Sequence, residues 1–147
     1  MQRDESLDKL VYELQILRGM SESIQQRMTL VHSALMELNM ATSTLEEITN
    51  EEDADSMLIP IGGGSYIRGK IDDRKNIIVG VGANVAVEKT VEEAKNDFQS
   101  RILELDQVRT SLQTQLDESI TKADGLQREI RRLTQRARGD IPNVRGA

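Results

Sequence analysis

Residues 60–71 read PIGGGSYIRGKI, a glycine-rich stretch that lies between two long charged segments. Gly64, Gly69 and Lys70 match the spacing of the P-loop pattern, G-x-x-x-x-G-K-S/T, which raises the question of nucleotide binding. A P-loop needs Ser or Thr after the lysine and a helix whose N-terminus faces the phosphates. Here Ile71 follows Lys70, and the alternation of apolar and polar side chains is typical of a strand. We therefore interpret the glycines as turns and as positions where strands pack closely.

The segment around this stretch, residues 57–89, consists of short runs with β-strand character. The runs are separated by the glycines 62–64, by the polar turn 72–75 and by Gly82-Ala83. This order predicts two consecutive β-hairpins. The four predicted strands cover 57–61, 65–71, 76–81 and 84–88.

Four short strands cannot bury both faces of the sheet that they form, so apolar side chains should remain exposed in a single chain. An exposed apolar sheet with open edges is an association surface. We therefore expect an obligate oligomer that assembles through this region. The predicted oligomerisation sheet consists of Ile59, Ile61, Ile67, Ile77, Val79, Val81, Val85 and Val87.

A heptad pattern runs through each flanking segment. Twelve positions from 7 to 45 alternate in steps of three and four, and ten of them are apolar, with Ser21 as one exception. The stripe from 102 to 137 has the same spacing and is interrupted by Arg109 and Ser119. A 3.5-residue period over this length is typical of a coiled-coil seam. One chain with two such helices most simply folds back as an antiparallel hairpin, with pairing between chains as the alternative.

Local signals set the bounds of the second helix. Thr90 followed by Glu93 is a capping box, which predicts a helix start near 90. Gly139 with Pro142 beyond it predicts the end. We expect one domain over 1–147, of fold class α+β. Its predicted parts are a coiled-coil helix at 5–52, the two β-hairpins at 57–89, a second coiled-coil helix at 90–138 and a flexible tail at 139–147.

Composition excludes several classes of protein. The chain has no cysteine, which excludes disulfides and thiolate metal sites and is typical of a reducing compartment. Its first residues are charged and lack the apolar core of a signal peptide. No apolar run reaches the ~18 residues of a membrane span. We therefore expect a cytoplasmic protein with no membrane partner.

Positive charge is concentrated at the C-terminal end of a chain whose net charge is −6. Six arginines lie in the last twenty residues. A basic helix end is one signal of nucleic-acid binding, but no aromatic residue interleaves these arginines for base stacking. We interpret the cluster as a solvated helix face and expect no nucleic-acid partner. Electrostatic steering of an acidic partner is the alternative.

The sequence offers no catalytic constellation. His32 is the single histidine and lies beside a seam position rather than on it. Asp53 and Asp55 lack the remaining ligands of a calcium loop. Glu92 and Glu93 lie at a predicted helix N-terminus, where the helix dipole explains them. We expect neither an enzyme nor a bound metal or cofactor.

The order of elements resembles the prefoldin family, in particular its archaeal-type alpha subunits. The resemblance is carried by LIPIGGGSYI at 58–67, VGVG at 79–82 and VAVEK at 85–89, between two coiled-coil helices, and covers 5 to about 137. It implies a heterohexamer of two alpha and four beta subunits, whose β-hairpins form a central barrel from which the coiled coils project. It also implies an ATP-independent chaperone of protein folding that binds unfolded client proteins and delivers them to a group II chaperonin.

We expect clients to bind at the free end of the coiled coil, where the first helix starts beside the end of the second. Fraying there would expose seam side chains that are buried further along. Weak contacts at several tips would add up through avidity. The predicted client-binding residues are Leu7, Leu10, Val11, Leu14, Ile130, Leu133 and Ala137. The competing class is a structural tether, a coiled-coil protein that oligomerises through its sheet and binds no client.

Overall fold

The computed structural model describes residues 2–50 and 56–139. Two long helices flank two β-hairpins in the chain, which confirms the predicted α+β class. The described residues do not include Asp53, Asp55 or Pro142. They also do not include the predicted tail from residue 140 onwards. The elements are α1 (Gln2–Asn50), β1 (Met57–Gly62), β2 (Ser65–Gly69), β3 (Asn76–Gly82), β4 (Val85–Thr90) and α2 (Val91–Gly139).

The described residues fall into two compact units. Unit 1 combines 2–32 of α1 with 107–139 of α2, and unit 2 comprises the described residues of 33–106, which include both hairpins. A single domain over 1–147 stays a prediction.

The predicted seams are the buried stripes of both helices. All twelve seam positions of α1 are buried or half-buried. In α2 the positions from 102 to 137 are buried or half-buried, except for Arg109 and Ala137. The heptad prediction is therefore confirmed for all seam positions except Arg109 and Ala137.

Unit 1 is a coiled coil of the first part of α1 and the last part of α2. Ile24 packs with Leu112 and Leu116 in a buried cluster. One turn earlier in α1, Ser21 Oγ lies 2.9 Å from Ser119 Oγ. Earlier positions of α1 thus meet later positions of α2, and the two helices run antiparallel in this unit, as predicted.

Unit 2 has its core where the second hairpin meets the helices. Leu45 of α1, Val79 of β3, and Val91 and Ala94 of α2 form a buried cluster. The backbone N–H of Val91 also donates to the carbonyl oxygen of Lys75, at 2.9 Å, in the loop before β3. The β3–β4 hairpin is thereby fixed on the helices by apolar packing and by one backbone hydrogen bond.

The capping box predicted at the start of α2 is formed. Thr90 N donates to Glu93 Oε2 at 3.1 Å, and Glu93 N donates to Thr90 Oγ1 at 3.2 Å. These two bonds satisfy N–H groups that have no partner inside the first turn of a helix. The predicted helix start is confirmed, and α2 extends to Gly139, the last described residue.

The predicted β-hairpins are confirmed as two separate two-stranded antiparallel sheets, β1–β2 and β3–β4. Each hairpin has a two-residue loop with positive φ at both positions: 58° and 72° at Gly63 and Gly64, 49° and 59° at Ala83 and Asn84. This is the type I′ pattern, whose twist matches that of the flanking strands. Glycine adopts it without steric cost, which explains the glycines of the first turn.

Candidate functional site

The start of α1 and the end of α2 form an open groove of about 550 Å³ in unit 1. Leu7, Leu133 and Ala137 contribute its apolar lining, while Asp4 and Arg136 are among its charged residues. The structure therefore brings together three of the seven residues predicted to bind clients. We call this cavity the end groove.

The other predicted client-binding residues lie close by in the sequence but in different environments. Val11 is exposed, whereas Leu10 and Ile130 are half-buried in the seam. Leu14 is buried, with 8% of its surface accessible, so a client reaches it only if this end of the coiled coil opens. Client binding by all of these residues stays a prediction.

The charges beside the end groove complement the helix dipoles. The first turn of α1 carries Asp4 and Glu5, and the last turn of α2 carries Arg136 and Arg138. Carboxylates near a helix N-terminus and cations near a C-terminus each contribute about 0.3–1 kcal/mol when exposed. The end groove thus combines an apolar lining with charges of both signs.

The β1–β2 hairpin exposes apolar side chains on both faces. Ile59 pairs with Ile67 across the strands, and Pro60 pairs with Tyr66 on the opposite face. All four are exposed, as is Ile61 at the irregular position of β1. This hairpin therefore has an apolar surface that the described part of the chain leaves uncovered.

The β3–β4 hairpin differs because one of its faces packs on the helices. Val79 is buried there, and Ile77 is half-buried against the same cluster. The prediction that Val79 belongs to an exposed oligomerisation sheet is therefore wrong, since alternate residues of β3 point toward Leu45 and α2. Val81, Val85 and Val87 remain exposed. Their role in oligomerisation stays a prediction.

Four further exposed apolar residues of the hairpins were missed from the sequence. Ile78, with 77% of its surface accessible, alternates with Val79 and so lies on the face away from the helices. Alternation along β3 was the available signal, because it predicts that Ile78 and Val79 lie on opposite faces. The other three are Met57, Leu58 and Tyr66.

The loop between the hairpins is ordered by Asp73. Its Oδ1 accepts hydrogen bonds from Lys75 N at 2.8 Å and Asn76 N at 3.1 Å, and its Oδ2 accepts one from Asn76 Nδ2. The bond from the Lys75 backbone, followed by those from Asn76, lowers the pKa of Asp73 from its ordinary value of 3.8. An ion pair between Lys89 and Asp97 joins β4 to α2 nearby.

Other kinds of site lack support among the described residues. Strand β2 ends at Gly69, short of the predicted residue 71, and Lys70 is followed by a loop rather than a helix, so no P-loop is formed. Within 2–50 and 56–139, no three His, Cys, Asp or Glu side chains form a group suited to a metal ion. Neither described helix has the apolar length that crossing a membrane requires.

Comparison with protein families identifies this architecture. The Prefoldin family model, described as prefoldin subunit, matches residues 17–136. The chain belongs to the prefoldin family. Prefoldin subunits are components of a non-enzymatic chaperone, and membership implies assembly with other prefoldin subunits.

Similar sequences are prefoldin alpha subunits of archaea, which confirms the resemblance to that class. Prefoldin subunit alpha of Pyrococcus horikoshii is 32% identical over 136 residues, which are 92% of each chain. Prefoldin subunit alpha 1 of Thermococcus kodakarensis is 38% identical over 98 residues, 67% of each chain.

A solved prefoldin structure has the same fold. The cryo-EM structure of filamentous PFD from Methanocaldococcus jannaschii matches with a TM-score of 0.68 and 20% sequence identity. The match covers 80% of this chain and 98% of that one. At this identity the likeness supports the arrangement of helices and hairpins, which agrees with the prediction from the heptads and turns.

Proposed function

We propose that this chain is the alpha subunit of an ATP-independent holdase that binds unfolded polypeptides at the end of its coiled coil and delivers them to a group II chaperonin. Membership of the prefoldin family supports the chaperone role. The proposal involves no catalytic step and no nucleotide, and it places the protein in the cytoplasm.

The end groove is the observation that carries this proposal. In a two-helix coiled coil, each seam side chain is covered only by its own helix and by the one partner helix. At the end of the coiled coil this packing is incomplete, so the seam side chains there are more exposed to solvent. Leu7, Leu133 and Ala137 line such an opening in unit 1. Burying one leucine side chain in a client contact is favourable by about 1.5–3 kcal/mol, which is weak enough for release and adds up over several tips.

The decisive experiment replaces the groove leucines in the assembled complex. A Leu7→Gln/Leu133→Gln variant keeps helix propensity but removes two apolar contacts. We expect the concentration needed to suppress aggregation of guanidinium-unfolded citrate synthase to rise about tenfold or more, measured by light scattering. The native mass of the complex should stay unchanged.

A matched control comes from two leucines that lie outside the seams. Leu30 and Leu103 are 71% and 62% exposed. Leu30→Gln/Leu103→Gln removes the same number of leucines and should suppress aggregation like the wild type. Equal activity of both double variants would favour the alternative function, a structural tether without client binding.

The second part of the proposal concerns assembly through the hairpins. We place two alpha and four beta subunits in the complex, joined through the exposed hairpin residues Ile59, Ile61, Ile67, Val81, Val85 and Val87. Support comes from the uncovered apolar surface on both faces of β1–β2 and from the family's assembly with other subunits. Apolar sheet of this kind is an association surface.

Native mass spectrometry of the complex isolated from its own cells tests the assembly. We expect a six-subunit particle with two copies of this chain. Ile59→Asp/Ile67→Asp should reduce it to smaller species, because two carboxylates would be buried at the interface without partners. Leu30→Asp/Leu103→Asp introduces the same charge on the helices and should leave the particle intact. A wild-type particle without beta subunits would contradict the proposed stoichiometry.

A further inference from the structure

The end of α2 carries an arginine face, defined as Arg128, Arg131, Arg132, Arg136 and Arg138. All five residues are exposed. With 3.6 residues per turn, Arg128, Arg131 and Arg132 lie on the side of the helix opposite the seam, and Arg136 and Arg138 lie at the two edges of that side. A strongly basic surface thus covers the outer side of the last three turns of α2.

The described residues neutralise the arginine face poorly. Between 128 and 139 the sequence contains one acidic residue, Glu129. Among the described residues its Oε1 lies 3.7 Å from Arg132 Nη2, a pair whose side chains are 47% and 60% exposed. An exposed pair at this distance contributes little. Asp124 precedes Arg128 by one turn and Asp4 lies in the end groove with Arg136, but the described residues show an ion pair to this face from Glu129 alone. Within the described residues, most of the positive charge is therefore available to a partner.

Helix stability does not account for the charge. The dipole favours cations within the last turn, which covers Arg136 and Arg138 but not the three arginines before them. Arg128 and Arg132 are four residues apart and of like charge, an arrangement that destabilises a helix. Arg132 and Arg136 repeat it. A row of repelling arginines on an exposed helix points to a ligand outside the chain.

The spacing of this row fits an extended polypeptide. Arg128, Arg132 and Arg136 follow one another every four residues, or about 6 Å along the helix axis. Alternate residues of an extended chain are about 6.6 Å apart. We propose that the arginine face binds extended acidic polypeptide segments, with alternate carboxylates opposite this row. The inference rests on the proposed holdase function and names the class of client.

Continuity with the end groove favours a polypeptide over a nucleic acid. Arg136 belongs to the arginine face and also lines the groove beside Leu7 and Leu133. A client segment with acidic residues next to apolar ones contacts both surfaces at once. Sites for single-stranded nucleic acid usually add aromatic side chains on which bases stack. Phe98, the aromatic residue of α2, is packed against the core of unit 2 instead.

The test is peptide binding by the complex of the full chain with its prefoldin partner subunits, followed by fluorescence anisotropy. The probe is a labelled peptide of alternating Glu and Thr, compared with alternating Lys and Thr and with duplex DNA. We expect the Glu peptide to bind most tightly and to weaken as salt screens the charges. Arg128→Gln/Arg131→Gln/Arg132→Gln should weaken it about tenfold.

The control variant is Arg18→Gln/Arg27→Gln/Arg101→Gln, which removes three exposed arginines elsewhere and changes the net charge equally. It should alter binding less than twofold. An equal loss in both variants, no preference over the Lys peptide, or tighter binding of DNA would each overturn the inference. Suppression of citrate synthase aggregation by the same wild-type complex separates the two proposals. If the complex suppresses aggregation but does not bind the Glu peptide, the proposed holdase function is supported and the proposed peptide binding by the arginine face is wrong.

Discussion

Ser21 and Ser119, which interrupt the apolar seams of α1 and α2, face each other with their Oγ atoms 2.9 Å apart. Both hydroxyls also lie within hydrogen-bond distance of the carbonyl oxygen of Leu17, at 2.9 Å from Ser21 and 3.2 Å from Ser119. Ser119 is only 5% exposed, so water cannot replace this partner. A shift of one helix along the other in unit 1 would leave a buried hydroxyl against apolar side chains. The serine pair therefore favours one register of the coiled coil.

Removing the serine pair in steps should reveal its coupling. Ser21→Ala and Ser119→Ala should each lower the free energy of unfolding by about 0.5–1.5 kcal/mol, because each leaves the other hydroxyl with fewer partners. The double substitution should cost less than the sum, since it leaves no buried polar group unpaired. Urea denaturation followed by circular dichroism measures all four proteins.

Thr29 and Thr114 provide the control cycle for the serines. Each is exposed and donates from its hydroxyl to a backbone carbonyl four residues earlier in its own helix. Their substitution by alanine should be additive within about 0.5 kcal/mol. Additive effects for Ser21 and Ser119 as well would contradict a role of the pair in setting the register.

Truncation of Leu45, a seam residue of unit 2, should be costly. It is 6% exposed and shares a buried cluster with Val79 and Ala94. Leu45→Ala should lower the free energy of unfolding by about 2–5 kcal/mol, because the cavity cannot close against a strand fixed by its own hairpin. Leu30→Ala removes the same side chain from an exposed position and should change it by less than about 0.5 kcal/mol. Similar losses in both variants would show that the cluster is not a core.

The periodic parts of this fold could be predicted from the sequence, because the spacing of apolar residues alone determines which face of a helix packs against its partner helix. The heptads identified the seams, including the serines, and the capping box at Thr90 identified the start of α2. Turn glycines located both hairpins. Each of these signals is local, so it does not depend on how distant elements pack.

Tertiary packing decided what the sequence left open. Alternation along β3 separates Val79 from Ile78, but only the positions of α1 and α2 determine that Val79 is the buried one. The burial of Arg74, in the polar turn before β3, also could not be predicted from the local sequence. Its Nη1 is buried and has no hydrogen-bond partner among the described residues, which nothing in the local sequence indicates. Part of the candidate site could be predicted from the sequence. Two antiparallel seams of similar length place the start of α1 beside the end of α2, and so bring together Leu7, Leu133 and Ala137.

Gly69 should tolerate alanine less well than Gly80, although both lie in strands. A Cβ atom at Gly69 would lie 2.5 Å from Ile59 Cδ1, whereas nothing lies within 4 Å of one at Gly80. Gly69→Ala must therefore push Ile59 toward another rotamer, at a cost of about 0.5–1.5 kcal/mol. Gly80→Ala should stabilise slightly, by restricting the unfolded chain.

The comparison of the two glycine variants has a readout beyond stability. Native mass spectrometry should show weaker assembly for Gly69→Ala, because Ile59 belongs to the surface proposed to join subunits. Identical stability and assembly of the two variants would show that Ile59 does not need the space above Gly69.

Asp73 should make the loop between the hairpins sensitive to acid. Its hydrogen bonds from the backbones of Lys75 and Asn76 favour the carboxylate and lower its pKa below the ordinary 3.8. A lowered pKa in the folded state means that the stabilisation is present above 3.8 and is lost as the pH falls through the folded value. The melting temperature of the wild type should therefore approach that of Asp73→Asn as the pH falls below about 4.

Asp72→Asn, at a neighbouring carboxylate that makes no hydrogen bond to the described residues, should show no such convergence. A constant gap between wild type and Asp73→Asn from neutral to acid pH would mean that the ionised carboxylate does not hold the loop.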